Sequence, residues 1–418
     1  MSTPAMVRER TRARPGWLIL GFAIVAGALT GPGQTIGVSV FIDHLVADLS
    51  LTRTQVSTAY LVGTLAGALA LPSVGRLIDE YGVRRSQVVI GLLFGVALLN
   101  MSLVTGLVWL MVGFGGIRLL GQGSLSLVST VTVQIRFDRT RGLALGIFAT
   151  ATAGLMALVP VVLAILIDRL GWRATWVVAA VVVTGIVVPV GYWGLRSLPT
   201  GWRRAERYRS ADAPSEPVAA DAVHDRASAM RTSSFWMLAA VGGAAGMMST
   251  ALNFHQIDLL GDAGLSATAA AALFIPQVVG SSVAGLSIGV IGDRVGTRFL
   301  PAISMLLLLV AQLLAAIAAP GLVVIAYAVV LGAAGGAVRT ASSTLQPQWF
   351  GLSHIGSIQG ALTLFNVAAS AIGPVVLTIT EQAAGSYPPA LVALGAVPAA
   401  AMLFALGPNR GPAGNEPV

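Results

Sequence analysis

Gly75-Arg-Leu-Ile-Asp79-Glu-Tyr-Gly82-Val-Arg84 and, 214 residues later, Gly289-Val-Ile-Gly-Asp293-Arg-Val-Gly296-Thr-Arg298 decide how this chain is read. Gly, Asp, Gly and Arg recur in register. The same offset carries Gly142 to Gly356, Gly146 to Gly360 and Pro160 to Pro374. Seven coincidences at one offset imply an internal duplication. Each copy of the motif is a short polar hairpin between two long apolar stretches. Its glycines permit close approach and left-handed turns. Asp79 and Asp293 can accept bonds from helix N-terminal N–H groups or pair with arginine. Arg84, Arg85 and Arg298 then hold each hairpin at a membrane surface.

The rest of the chain fits that setting. Of its 418 residues 56% are hydrophobic and 10% charged, with a mean hydropathy of +0.83. Soluble domains carry about 25% charged residues, so a cytosolic globule is excluded, as are disorder, a coiled coil and a secreted disulfide scaffold. With no cysteine there is no disulfide, thiol nucleophile or cysteine metal site. All 25 basic residues are arginine, which removes Schiff-base and P-loop lysine chemistry and points to a GC-rich, bacterial genome. About 20 apolar residues cross a bilayer as helix. Twelve such spans are predicted: 17–43, 54–77, 86–106, 107–134, 142–168, 174–196, 233–258, 265–291, 298–318, 321–346, 354–379 and 388–407. The first is too long, and followed by too many others, for a cleaved signal peptide. The expected fold is an all-α membrane protein of twelve transmembrane helices, two six-helix bundles related as parallel repeats.

Cytoplasmic loops retain positive charge. With the N-terminus inside, twenty arginines fall on the cytoplasmic side and three (Arg53, Arg169 and Arg173) outside; Arg118 and Arg339 lie within spans. Both termini are therefore expected in the cytoplasm, in a multi-pass inner-membrane protein. The division is a cytoplasmic arm (1–16), an N-terminal bundle (17–196), a cytoplasmic linker (197–232), a C-terminal bundle (233–407) and a tail (408–418). The linker opens with Trp202, Arg203, Arg204, Arg207, Tyr208 and Arg209 and continues acidic and Pro/Ala-rich. It reads as a tether, its start suited to a membrane interface. The net charge of +8 is a topology signal; no basic groove with interleaved aromatics suggests nucleic acid.

Arginine inside a span costs about 2.5–3.5 kcal/mol on insertion scales and asks for a reason. Arg118 lies near the middle of the fourth span, and Arg339 in the cytoplasmic half of the tenth. Either meets an anionic substrate in a central cavity, or serves structurally by bonding helix carbonyls or a neighbouring polar side chain. Polar residues at helical spacing favour a shared aqueous path: Gln359, Thr363, Asn366 and Ser370 form one face of span eleven. Arg118, Gln122, Ser126 and Ser129 do so on span four, Thr30 and Gln34 on span one, Ser249, Asn253 and Gln256 on span seven, and Gln277 and Ser281 on span eight. The alternative is interhelical glue. No carboxylate lies near mid-span; Asp43, Asp258 and Glu381 sit at span ends and read as solvated termini. His255 is the proton-coupling candidate. Gly142/Gly146 and Gly356/Gly360 read as small-residue contacts. Gly285-Leu-Ser287-Ile-Gly289 imitates a hydrolase elbow but lies inside an apolar helix. The four histidines have no metal spacing, and no metal or cofactor is expected.

The doubled Gly-x-x-x-Asp-x-x-Gly-x-Arg resembles the loop motif of the major facilitator superfamily, and Arg118-Leu-Leu-Gly-Gln122-Gly123 looks like that superfamily's second motif. The resemblance covers about 17–407 and implies two bundles around a central site, with the paired cytoplasmic hairpins closing the inner gate. Gly37-Val-Ser-Val-Phe41, Arg141-Gly142-Leu-Ala-Leu-Gly146, Trp349-Phe350-Gly351 and His354-Ile-Gly356-Ser-Ile-Gln-Gly360 look like the monocarboxylate-porter and oxalate–formate-antiporter branch. Span eight lacks the arginine usual in that branch, and span one its acidic-aromatic signature. The branch resemblance and the two intramembrane arginines imply a secondary transporter of a small, anionic, monocarboxylate-like solute, and the chain is expected to be a monomer. A drug or amphipathic-compound exporter is the alternative, and a transporter-like sensor is further off. Enzymatic activity is not expected, since no nucleophile–base pair or metal cluster exists.

Overall fold

The computed structural model describes residues 16–137, 141–196, 198, 226–350 and 355–407. Among them every regular element is helical. Among the described residues eleven helices are long and apolar enough to cross a membrane. The fourth predicted span is the one missing from that set, for a local reason. It runs as α5 (Leu107–Ile117), a π-helical stretch Arg118–Leu125, and α6 (Ser126–Arg136). Its π turns divide the α-helix just where Arg118 and Gln122 lower the hydropathy. Adding this continuous helical passage gives the twelve of the expected architecture. Large apolar side chains such as Leu69, Val108 and Leu322 are more than 70% exposed, which a lipid solvent tolerates and water does not.

The first span is in pieces: α1 (Gly16–Ala28), a 3-10 turn Gly31–Gly33, α2 (Thr35–Ser39) and α3 (Ile42–Asp48). Spans two and three form one helical run, α4 (Arg53–Ser102), broken at Gly82 with φ 78° and ψ 159°. Then come α7 (Arg141–Leu170), α8 (Trp172–Pro189), α9 (Ser233–Phe254), α10 (Gln256–Asp262), α11 (Ala267–Ala272), α12 (Phe274–Val295), α13 (Leu300–Ala316), α14 (Leu322–Phe350), α15 (Ile355–Ala384), α16 (Tyr387–Leu394) and α17 (Ala396–Leu406).

The duplication reaches the backbone. Gly82 and Gly296 both take positive φ, 78° and 91°, as two hairpin glycines must where a Cβ would be strained. Gly171 and Gly385, also 214 apart, share φ 81°. α7 and α15 have the same length and the same internal proline, Pro160 and Pro374. α3 and α10 correspond end to end at the same offset. The side chains of Gly75, Asp79, Gly289 and Asp293 lie outside the described residues, so the bonding expected of the two aspartates is not among them. The linker and both termini also lie largely outside.

The chain divides into two compact units, Met1–Leu51 with Val62–Ser215, and Thr52–Leu61 with Glu216–Val418. The first ten residues of this stretch of chain around the start of α4 thus group with the second unit. In the first unit α1 packs on α6 and α7 through Leu20, Ala23, Val133, Phe137, Ala144 and Phe148. In the second, α12 lies hard against α14: a Cβ on Gly280, Gly332 or Gly336 would collide with the carbonyl of Val329, Gln277 or Ser281 respectively. Close approach therefore falls at these glycines. Gly146 has open space around it, so the small-residue contact expected there does not form.

Candidate functional site

Gly31-Pro32-Gly33 interrupts the first span because proline has no N–H to give and its flanking glycines do not hold the helix. A break of this kind leaves carbonyls without helical partners, which in a membrane must find others. Arg118 supplies one. It is 4% exposed and donates from Nη1 to the Gly33 carbonyl and to Thr35 Oγ1, both at 3.4 Å, and from Nε to Thr64 Oγ1 at 3.1 Å. Gln34 donates to Thr30 Oγ1 at 3.1 Å, and Thr30 to the Gly27 carbonyl at 2.7 Å. Across from the break, Ser124 donates back to the Leu119 carbonyl at 2.7 Å and closes the π turn. Gln122 Oε1 is buried there without a hydrogen-bond partner.

In the second unit Arg339 of α14 is exposed and donates from Nη2 to the Ser281 hydroxyl of α12. One residue on, Thr340 donates to the Gly285 carbonyl at 3.2 Å, so both bonds cross the tight glycine seam. No carboxylate pairs with Arg339 among the described residues. Gln277 is buried and donates to Gln256 Oε1 at 2.7 Å, and Gln256 to the Ala270 carbonyl at 2.9 Å. Asn253 Oδ1 is buried and unpartnered. The polar face of span eleven splits: Gln359 and Thr363 are exposed, whereas Asn366 donates to the Gly242 carbonyl at 2.6 Å and Ser370 to that of Val367 at 2.9 Å.

His255 stands in a larger network than its sequence neighbours suggest. It is 1% exposed at the turn between α9 and α10. Its Nδ1 lies 3.3 Å from the Tyr387 hydroxyl, and its Nε2 lies 3.1 Å from the Pro374 carbonyl and 3.2 Å from Thr378 Oγ1. Ser57 lies 3.0 Å from the same threonine hydroxyl. Tyr387 also donates to Asp258 Oδ2, and Arg53 pairs with Asp258 Oδ1 at 2.7 Å. Asp258 is therefore no solvated terminus; its side chain is 24% exposed and held from two sides. Sequence reasoning missed Arg53, Ser57, Thr378 and Tyr387. The one available signal was Tyr387 itself, which stands at the repeat position of Arg173.

At the hairpin of the first unit, Arg84 donates from Nε to the Tyr192 carbonyl at 3.1 Å and its guanidinium lies over the Tyr192 ring at 5.1 Å. At that of the second, Arg298 lies over Phe299 at 4.6 Å. Both arginines thus anchor on an adjacent ring.

Duplicated six-span halves with broken helices, glycine seams and a few bonded charges define a polytopic membrane carrier. The Major Facilitator Superfamily model matches residues 18–281, more than half of the chain, and the chain belongs to that superfamily of transporters. Comparison with curated proteins gives no match. Among solved structures it is similar to a bacterial homolog to the human lysosomal transporter Spinster, in inward-facing unoccupied and inward-facing occupied conformations. Both share 14% identity over 93% of this chain; 96% and 95% of those chains are covered, with TM-scores of 0.71 and 0.65. At that identity they speak for the fold.

Proposed function

We propose that this transporter is a secondary active carrier of a small organic anion of the monocarboxylate type, working by alternating access of its two repeats. The observation that carries the reading is Arg339: a guanidinium on a membrane span, exposed, bonded to a neutral hydroxyl and facing no carboxylate among the described residues. An anionic solute would supply the missing charge. Gln359, Thr363 and the unpartnered oxygen of Asn253 are uncharged groups for orienting it. Arg118, Gln34, Gln277 and Asn366 keep a supporting role, since their polar atoms are engaged within the protein. His255 is the group we assign to proton coupling. The arginine asymmetry supports cytoplasmic termini, and with them a role for the two hairpins at the inner gate.

The test is uptake of labelled lactate, pyruvate, oxalate and formate into proteoliposomes, with and without a pH gradient and internal counter-anion. Arg339→Gln should lose at least tenfold in flux and Arg339→Lys should retain part of it. Carboxylate flux unchanged in Arg339→Gln, or absent from the wild type, would sink the anion assignment and favour an exporter of amphipathic compounds.

A further inference from the structure

The first unit contains a cavity of about 820 Å³ that none of the transport chemistry above uses. It lies beside the Gly82 hairpin, between the two arms of α4, the π-helical stretch Arg118–Leu125 and the π turn Val190–Gly194 that follows α8. Its walls are Val74, Leu77, Ile78, Val89, Leu93 and Leu120, among other apolar groups, and its polar groups gather at the hairpin: Tyr81, Arg84, Arg85, Ser86 and Tyr192, with Ser124 alone deeper. We infer that this cavity is a binding site for one anionic glycerophospholipid, taken from the leaflet at the arginine-rich ends of the spans. The phosphate would sit on Arg84 and Arg85 and an acyl chain would run between Val89, Leu93 and Leu120.

Three independent observations commit the site to that occupant. The first is charge. Among the described residues exposed Arg85 has no hydrogen bond or ion pair, and Arg84 spends Nε on the Tyr192 carbonyl with neither Nη group engaged. Two adjacent guanidinium groups are a fork for phosphate oxygens. The second is shape and polarity along the bilayer normal. From Arg85 to Leu93 the helix rises about 12 Å at 1.5 Å per residue, so the apolar wall runs from interface depth into hydrocarbon. A water-soluble anion has no use for that wall, and an uncharged lipid none for the arginines. The third is access. Leu77, Val89 and Leu93 are each about half exposed, so the cavity opens sideways to the membrane. Tyr192, 53% exposed, lines the cavity and meets the 57% exposed Trp193 edge-to-face at 5.4 Å; such aromatic rings sit among headgroups.

The second repeat has lost the fork. Arg84 corresponds to Arg298, but Arg85 corresponds to Phe299, whose ring covers the remaining guanidinium. Lipid binding is therefore a specialisation of the first unit. A lipid seated on Arg84 and Arg85 bridges the start of the third span to the turn Val190–Gly194 after α8. It would thus hold the hairpin whose hinge is Gly82.

The experiment is native mass spectrometry of the full chain, extracted in mild detergent and titrated with phosphatidylglycerol or phosphatidylcholine of the same acyl chains. Wild type should retain one phosphatidylglycerol in preference to phosphatidylcholine. Each arginine near an anionic headgroup is worth roughly 1 kcal/mol, or about fivefold, so the double variant Arg84→Gln/Arg85→Gln should bind that lipid about 25-fold more weakly. Leu93→Trp, on an exposed wall position, should weaken it with the charges intact, and Arg298→Gln should leave it unchanged. Adding inorganic phosphate should not displace the lipid. Equal retention of both lipids, equal loss in Arg298→Gln, insensitivity to Leu93→Trp, or displacement by phosphate alone would each overturn the proposal. Size-exclusion profiles matching the wild type confirm that the variants compared are folded.

Discussion

The two repeats diverge most sharply around one pair of equivalent turns. In the first unit Phe41 is fully buried and stacked on Trp176, with ring centroids 3.9 Å apart and planes within 18°. In the second the same positions are His255 and Ala390. Ala164 becomes Thr378, His44 becomes Asp258, and Arg173 becomes Tyr387. Around Phe41 the locus is an aromatic plug. Its nearby ion pair, Arg173 with Asp48 at 2.9 Å, lies out at the surface with the two side chains 41% and 49% exposed. Around His255 the locus is a chain of hydroxyls and an imidazole leading to the ion pair of Arg53 with Asp258, exposed to only 21% and 24%. The backbone has been kept and the chemistry exchanged. One copy holds its turn by packing, and the other holds an equivalent turn with groups that can change protonation. On the proposed reading, that difference is where coupling has been added to a duplicated scaffold.

The largest effect should come from the packed copy. Trp176→Ala removes a fully buried aromatic and should cost about 3–5 kcal/mol, read as a lowered unfolding transition of the purified protein. Transport of the variant that survives should keep its normal pH dependence. If Trp176→Ala were nearly neutral, the plug would not be structural and the contrast would fail. Next come the ion pairs. Asp258→Asn takes the charge from a half-buried carboxylate bonded by Arg53 and Tyr387, and should cost about 1–3 kcal/mol. Asp48→Asn takes it from an exposed pair and should cost about 0.2–1 kcal/mol. The same transition, measured in low and high salt, separates them, because only the exposed pair should be strongly screened. Equal losses would mean that the two loci are energetically alike.

The fold could be read from the sequence because its causes are local and periodic. Length and apolarity mark a span wherever it occurs, and an offset of 214 is visible without knowing any contact. The fourth span shows how a local rule can mark a structural irregularity: the polar residues that lower its hydropathy are those of the π stretch, where Arg118 meets the broken first span. The candidate site was only partly legible, because its partners are distant or are backbone. Arg53 and Asp258 are 205 residues apart, and each alone resembles an ordinary charge at a span end. Arg118 offered either a ligand for substrate or a structural bond; the acceptors it reaches include the Gly33 carbonyl, left outside the helical ladder by the break at Gly31–Gly33, and no residue pattern announces a freed carbonyl. Asn366 and Thr363 share one helical face, yet only Thr363 is open, because Asn366 lies over Gly246 and reaches the Gly242 carbonyl. A glycine on the facing helix decided that.

His255→Phe, which rewrites the second locus in the residue of the first, should have a small effect on stability and the most specific effect on transport. Its loss need not leave its partners stranded: Thr378 still donates to the Pro374 carbonyl at 2.9 Å, and Tyr387 still reaches Asp258. The stability cost should therefore be about 1 kcal/mol or less, near that of a single net hydrogen bond. The groups facing His255 include Tyr387 and, beyond it, Asp258 with Arg53; Glu381 and Asp262 act electrostatically on the same cluster. A proton arriving on the imidazole would change the donor that Tyr387 meets, and so the hold on Asp258. In the proposed carrier, flux driven by a pH gradient should be lost in His255→Phe while exchange of solute at equal pH persists. His255→Gln, which keeps a side-chain donor and acceptor but cannot titrate, should behave like His255→Phe in the gradient assay. If either variant still responded to the gradient as the wild type does, the histidine would be a hydrogen-bonded strut, and the second locus would be held together no less structurally than the first.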